Sequence, residues 1–412
     1  MERKNRSGLW LFMLSLNLAH GAEPGLTDMF TAPPPVRLPE NQPYTFKLGD
    51  LRMLVAPEAQ LDWNDNVNLA KRDGQGDFIF RPTLGLATLY PITERNLLEL
   101  NIRFGYEKYF RHDELSTWYV ESGSELAFRV WIKDLTLEVH ERPSYIQDSA
   151  QQPAIAGTGN FGAFNNTAGF IASWELNAAE ISAGYDHQTA ISTTKEFRSQ
   201  DRDSDLANVR AGFATPFKVT AGVEALANFT RYHEAVLNNN HSYGAGGYAD
   251  WKAGDYFTVR SKIGWEIFQF EDTSKTIRTA DLNSFYGNLQ FVHQPTKAIS
   301  YSIGAGHEVE QGIQADLIED WFCRSTVDWK VLKAWQVNVS VSYMHGKQGA
   351  GNVTGNLSEN FDWVSLGAGT SYQLTDRLSF ALNYQLISRS SNISSRAYTQ
   401  NDVGISLTYQ IP

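Results

Sequence analysis

The sequence predicts an all-β chain, a transmembrane antiparallel β-barrel of about 18 strands, with 16 as the next even count. Three observations predict it. Apolar and polar residues alternate with period two over runs of about ten residues, where soluble strands average about five or six. Short and long connections alternate along the chain, as in barrels with tight turns at one rim and loops at the other. Aromatics make up 13% of residues while the hydrophobic fraction is only 42%, the balance expected when every second strand residue faces lipid and the others face water.

The elements follow in order. Arg3, Lys4 and Arg6 precede an apolar run from Leu9 to Ala19, and Ala19-His20-Gly21-Ala22 supplies small residues for cleavage. This is the layout of a signal peptide over residues 1–22, with an apolar run shorter than the roughly 20 residues of a spanning helix. Residues 23–47 carry Pro33, Pro34, Pro35, Pro39 and Pro43 and predict an extended periplasmic arm outside the sheet. The barrel is expected over 48–412. Trp335, Val337, Val339, Val341 and Tyr343 alternate without error against Gln336, Asn338, Ser340 and Ser342. The same pattern recurs around Leu378–Leu386, Ile299–Gly306 and Val403–Ile411. Tight turns are expected at 90–96, 133–134, 177–180, 215–217, 253–256, 294–298, 332–333 and 375–377. Longer loops are expected at 70–77, 148–166, 192–203, 235–241, 272–281 and 346–360. Trp265, Trp335, Tyr343, Tyr372, Tyr384 and Tyr409 fall near strand ends on the apolar face, where amphipathic rings suit the headgroup level.

The wet face carries charge. Alternation places Glu99, Arg103 and Glu107 on one strand, and Glu138, His140 and Arg142 on another. Arg260, Lys262 and Glu266 share a third strand, Glu308 and Glu310 a fourth, and Arg324, Asp328 and Arg389 join them. A charge facing lipid at mid-depth costs roughly 2–4 kcal/mol, so these residues are candidates to line a lumen. Both signs are present, so mutual pairing is expected and strong selectivity for one ion is not. A barrel of this size is too wide for its own side chains to fill. The longest connection, 148–166, is the third on its rim, and Gly157, Gly159, Phe161 and Gly162 make it a candidate constriction folded into the lumen.

Other chemistries find little. The net charge of −11 argues against nucleic acid. No His pair or Cys cluster has a zinc spacing, and there is neither a phosphate loop nor a nucleophile elbow, so no cofactor, metal or enzymatic activity is expected. His307 falls on the lipid-facing side, nearer Trp321 than Ser325, so it forms no Ser–His pair. Cys323, the single cysteine, excludes an internal disulfide and is expected to be buried or lipid-facing.

The ends of the barrel carry softer motifs. Val55-Ala56-Pro57 leads into Leu61-Asp62-Trp63-Asn64-Asp65-Asn66-Val67. Near the end come Tyr384-Gln385, Arg389-Ser390-Ser391, Tyr398-Thr399-Gln400-Asn401 and Leu407-Thr408-Tyr409. These resemble the opening strand and closing hairpin of an outer-membrane β-barrel porin family, the beta-barrel porin 2 type, often linked to exopolysaccharide systems. The resemblance covers 48–412 and implies a Gram-negative outer membrane, with lipid and the barrel assembly machinery as partners. Barrels of this kind finish on an aromatic residue that the machinery reads, whereas this chain finishes Tyr409-Gln410-Ile411-Pro412. The function expected is passive diffusion of small hydrophilic solutes or saccharides. The alternatives are an exopolysaccharide export pore working with periplasmic partners, and a closed barrel for adhesion or structure.

Overall fold

The computed structural model describes residues 44–411 except 147–148, 255, 276–278, 313–314 and 350–357. The expected signal peptide and nearly all of the proline-rich arm lie outside the described residues.

Eighteen strands form the wall: β1 Leu51–Asn64, β2 Asp77–Thr93, β3 Asn96–Tyr109, β4 in two pieces (Thr117–Val120 and Glu125–Ile132), β5 Leu135–Ile146, β6 Ala163–Leu176, β7 Ala179–Ser192, β8 Arg202–Ala214 and β9 Val219–Tyr232. They continue as β10 Asn240–Lys252, β11 Phe257–Phe270, β12 Leu282–Thr296, β13 Ile299–Gln311, β14 Leu317–Leu332, β15 Trp335–Gln348, β16 Glu359–Gln373, β17 Leu378–Ser391 and β18 Tyr398–Tyr409. Each pairs antiparallel with its neighbours in sequence. The sheet then closes on itself, Glu58–Asn64 of β1 pairing with Asp402–Thr408 of β18. Closure removes the exposed edges that an open sheet of this length would present.

The two rims differ as the connections predict. One carries only two- to four-residue turns, at 94–95, 133–134, 177–178, 215–218, 253–256, 297–298, 333–334 and 374–377. Positive φ at Lys133 (54°) and Asn177 (51°) fits the tight primed turns that match strand twist. The other rim carries the long connections, 147–162 the longest. That connection stops short of the expected 148–166, because Ala163–Asn166 continue as β6 paired with Pro143–Ile146 of β5. The expected arm also ends earlier. Phe46–Leu48 forms a short strand folded back on Leu51–Met53, since Pro43 is the last proline before the alternation begins.

Alternation sets the faces. On β15 Val339, Val341 and Tyr343 are exposed outward while Ser340, Ser342 and Met344 are buried inward. Trp335 pairs with Tyr372 at the turn end of this wall, and Tyr343 lies eight residues above Trp335. At about 3.3 Å per residue and the usual barrel tilt, that places the two aromatic levels roughly 20 Å apart. Between them the outer face is aliphatic, with Ile303, Leu382 and Ile405 all exposed. Inside, aromatic rings lie flat on glycines. Tyr286 crosses two strands over Gly264 and Gly246, where any Cβ would collide with it, and donates to Glu224 Oε1 at 2.9 Å.

The seam is sealed by polar side chains. Asn64 Nδ2 reaches Asp402 Oδ2 at 3.1 Å, Asp65 Oδ1 accepts the Asn401 amide at 2.7 Å, and Asn66 Nδ2 reaches the Thr399 carbonyl at 2.8 Å. The motif-like run Asn64-Asp65-Asn66 therefore ties the first strand to the last.

Candidate functional site

The inner face of β1–β7 carries an ion-pair ladder. Arg81 on β2 bridges Asp62 and Glu107, the latter at 2.7 Å. Arg103 on β3 holds Glu121 at 2.7 Å and Glu58 at 3.0 Å. Arg129 on β4 spans Glu99 at 2.5 Å and Glu138 at 2.6 Å. Arg142 on β5 holds Glu125 at 2.9 Å, and His140 Nε2 lies 2.9 Å from Asp186 Oδ1 on β7. Period two brings these side chains together, because every second residue of adjacent strands points inward at Cβ spacings of about 5 Å. The sequence-derived candidates Glu99, Arg103, Glu107, Glu138, His140 and Arg142 all belong to this ladder. Arg81 and Arg129, which organise it, are missing from that set. Both sit at inward parity, Arg81 beside Pro82 and Arg129 in the broken strand, where the alternation is hardest to read.

The remaining charged candidates are more scattered. Arg260, near the turn rim of β11, is exposed, and Lys262 one step along is half-buried. Glu266 on the same face is buried. On β14 the Arg324 guanidinium lies 4.8 Å from the centre of the Phe322 ring, and Asp328 is half-buried. Glu308 and Glu310 lie on β13, Glu308 directly across from Asp320 on β14. Arg389 faces inward but is fully buried, so it lies beneath other groups and lines no open passage.

What covers Arg389 is the longest connection. Its described part begins with a short 3-10 turn, Ser149–Gln151, and its chain lies against the inner face of β15–β18. Five side chains of that wall or its rim donate to its carbonyls. Trp363 Nε1 reaches Ala150 O at 3.3 Å, Arg389 Nε reaches Pro153 O at 2.9 Å, and Gln348 Nε2 reaches Ala154 O at 3.1 Å. Arg396 reaches Ala154 O at 3.1 Å, and Tyr398 reaches Ala150 O at 3.5 Å. Gln151 Nε2 meets Gln385 Oε1 at 2.8 Å. Arg389 also holds Glu359 at 2.8 Å, and Glu359 is 2.8 Å from Arg396. Burial lowers the Arg396 pKa from its usual value, with Glu359 opposing the shift.

An apolar cluster completes the dock: Ala150 and Ala156 from the loop pack with Met344, Phe361, Trp363, Ile387 and Tyr398 from the wall. The loop is pinned along its length as well. Gly157 adopts φ +78°, a left-handed conformation that favours glycine. At Gly159 a Cβ would strike the Val67 carbonyl of the first long loop. Phe161 packs edge-on against Phe197, centroids 5.0 Å apart. Gly162 O accepts from the Thr193 amide at 2.8 Å. A cavity of about 50 Å³ remains between this loop and the wall, lined among others by Phe161, Asn165, Arg202, Glu310 and Asp320.

The outer face holds the other singled-out residues. His307 is stacked on Phe285 with centroids 4.2 Å apart and lies 4.5 Å from the Trp321 ring. Its Nδ1 contacts Phe285 O at 2.8 Å and its Nε2 lies 3.3 Å from Glu319, so it sits beside aromatics as its register predicts. Cys323 is exposed on the same outward parity.

No family model matches the chain, and no curated protein matches it. Solved structures align with it over most of their length. Pseudomonas aeruginosa OccK2 (OpdF), in complex with glucuronate, shares 10% identity over 89% of this chain and 99% of its own, with a TM-score of 0.49. Pseudomonas aeruginosa OpdL shares 14% identity over 89% and 100%, with a TM-score of 0.47. Acinetobacter baumannii OccAB3 shares 9% over 87% and 99%, with a TM-score of 0.46. The likeness is of one barrel to another, and no residue role is carried over from it.

Proposed function

We propose that the chain is a passive diffusion channel of a Gram-negative outer membrane, passing small hydrophilic solutes. The closed wall satisfies its backbone internally and turns an aliphatic belt outward, which are the conditions for spanning hydrocarbon. Its inner face is polar. One observation carries the reading: residues 149–162 are held inside the barrel, the carbonyls of Ala150, Pro153 and Ala154 bonded to the far wall. A closed structural barrel has no need of an inserted loop fixed so firmly at one level. Folded inward, Ala150–Gly162 constrict a lumen that would otherwise pass solutes unsorted.

Selection would then come from size first and charge second. Glu99, Arg103, Glu107, Glu138 and Arg142 flank the passage on one side, already engaged with partners. Arg260, Lys262 and Asp328 line the wider turn end. Paired charges of both signs give weak ion selectivity. Saccharides enter the solute class through the resemblance of the chain ends to the exopolysaccharide-linked porins. Reconstitution of the refolded barrel in a planar bilayer tests the reading. Stepwise conductance is expected, together with liposome swelling that slows as neutral sugars grow from mono- to trisaccharide. A barrel that inserts and gives neither steps nor swelling would overturn it.

A further inference from the structure

Three carboxylates meet on the inner wall at the loop end of β13 and β14. Glu308 and Asp320 are directly paired across the two strands, and Glu310 is one step further along the same face. One carboxylate oxygen from each lies within 4.8 Å of the others. Asp320 is fully buried, and among the described residues neither of its carboxylate oxygens has a hydrogen-bond partner. Like charges placed opposite each other destabilise a sheet, and a buried carboxylate without partners is costly. The arrangement therefore calls for a positive group at Asp320.

We propose that Glu308, Glu310 and Asp320 bind one divalent cation of the calcium class beneath the inserted loop. Calcium takes oxygen ligands at about 2.3–2.6 Å, so two ligands of one ion lie up to about 5 Å apart, the spread found here. The adjoining cavity of about 50 Å³ is lined by Asp320 and Glu310. A water needs roughly 10–15 Å³ of such space, so there is room for an ion with part of its hydration shell. Asn165 and Gln200, which also line it, offer amide oxygens. Magnesium fits less well, because it demands a tight octahedron and keeps its waters. Arg324, two steps along the same face of β14, acts electrostatically on Asp320 and is the competing counter-charge, with Arg202 lining the same cavity. Spacing along the chain conceals this site, because Asp320 joins the two glutamates only through the register of the hairpin.

The full barrel, refolded in detergent and stripped with EDTA, can be titrated calorimetrically with CaCl₂ and MgCl₂. One saturable calcium site per barrel is expected, weaker for magnesium, and weakened at least tenfold in both Asp320→Asn and Glu310→Gln. Melting should rise on calcium addition in the wild type and stay level in either variant. In EDTA, Asp320→Asn should melt at or above the wild type, because it removes a repelled charge. A lower melting point there would show that Arg324 already neutralises Asp320 and would overturn the proposal. So would a wild type with no saturable site, or binding unchanged in both variants, which would place the ion elsewhere. Calcium binding is read without reference to conductance, so its failure leaves the channel reading standing.

Discussion

The inner faces of two stretches of the same wall solve one problem in opposite ways. Along β1–β7 the inward residues are charged, and arginines at 81, 103, 129 and 142 bridge the carboxylates around them. Along β15–β18 the inward residues near the long-loop rim are Met344, Phe361, Trp363 and Ile387, with a single buried ion cluster of Arg389, Glu359 and Arg396. The first face is finished by itself and can stay wet. The second is apolar on a face that would otherwise meet water, and it is finished only when the loop covers it. Apolar residues at inward parity therefore mark the place where a loop docks.

The difference can be broken at its strongest point first. Arg389→Ala removes the group joining Glu359, the Pro153 carbonyl and the Arg396 carbonyl. Breaking a buried pair on one side costs about 3–5 kcal/mol. The loop should detach and single-channel conductance should rise, while melting falls by several degrees. Arg129→Met tests the opposite wall. It leaves Glu99 and Glu138 without their bridge, at a cost of about 1–3 kcal/mol. Reversal potentials in a salt gradient should shift toward cation preference with little change in conductance. An equal conductance rise in both variants would erase the distinction between the walls.

Gly159→Ala is subtler. Its Cβ meets the Val67 carbonyl, and overpacking of this kind costs about 1–3 kcal/mol. Noisier current and faster proteolysis within the loop are expected, with the barrel itself intact on a gel. The smallest effect belongs to Arg142→Gln. Its pair with Glu125 is partly exposed, so less than about 1 kcal/mol is at stake, and the melting point should move by no more than about a degree or two.

The sequence carried much of the fold. Strands from Trp335 to Tyr409 were legible because polar and apolar residues alternate along most of their length, without error over Trp335–Tyr343, and the 18 strands and both rims follow from the turns between them. The candidate site was partly legible. Parity identified Glu99, Glu107 and Glu138 of the ladder but not Glu58, Asp62, Glu121, Glu125 or Asp186, and length with glycine content marked the loop. Parity also missed Arg81 and Arg129, and it set Arg389 in an open passage where the structure buries it. That burial depends on contact between Pro153 and Arg389, 236 positions apart, which no local pattern encodes. A signal for it was present, however: Met344, Phe361 and Trp363 stand at inward parity on strands whose other inward residues are small or polar.

The central claim is that the loop, fixed to the far wall, sets the width of an open lumen. The most direct measurement is the ratio of single-channel conductance between a barrel with residues 151–160 replaced by a short Gly-Ser linker and the wild type. The account predicts discrete steps in both and a severalfold larger step in the shortened protein. Equal steps in the two proteins would contradict it.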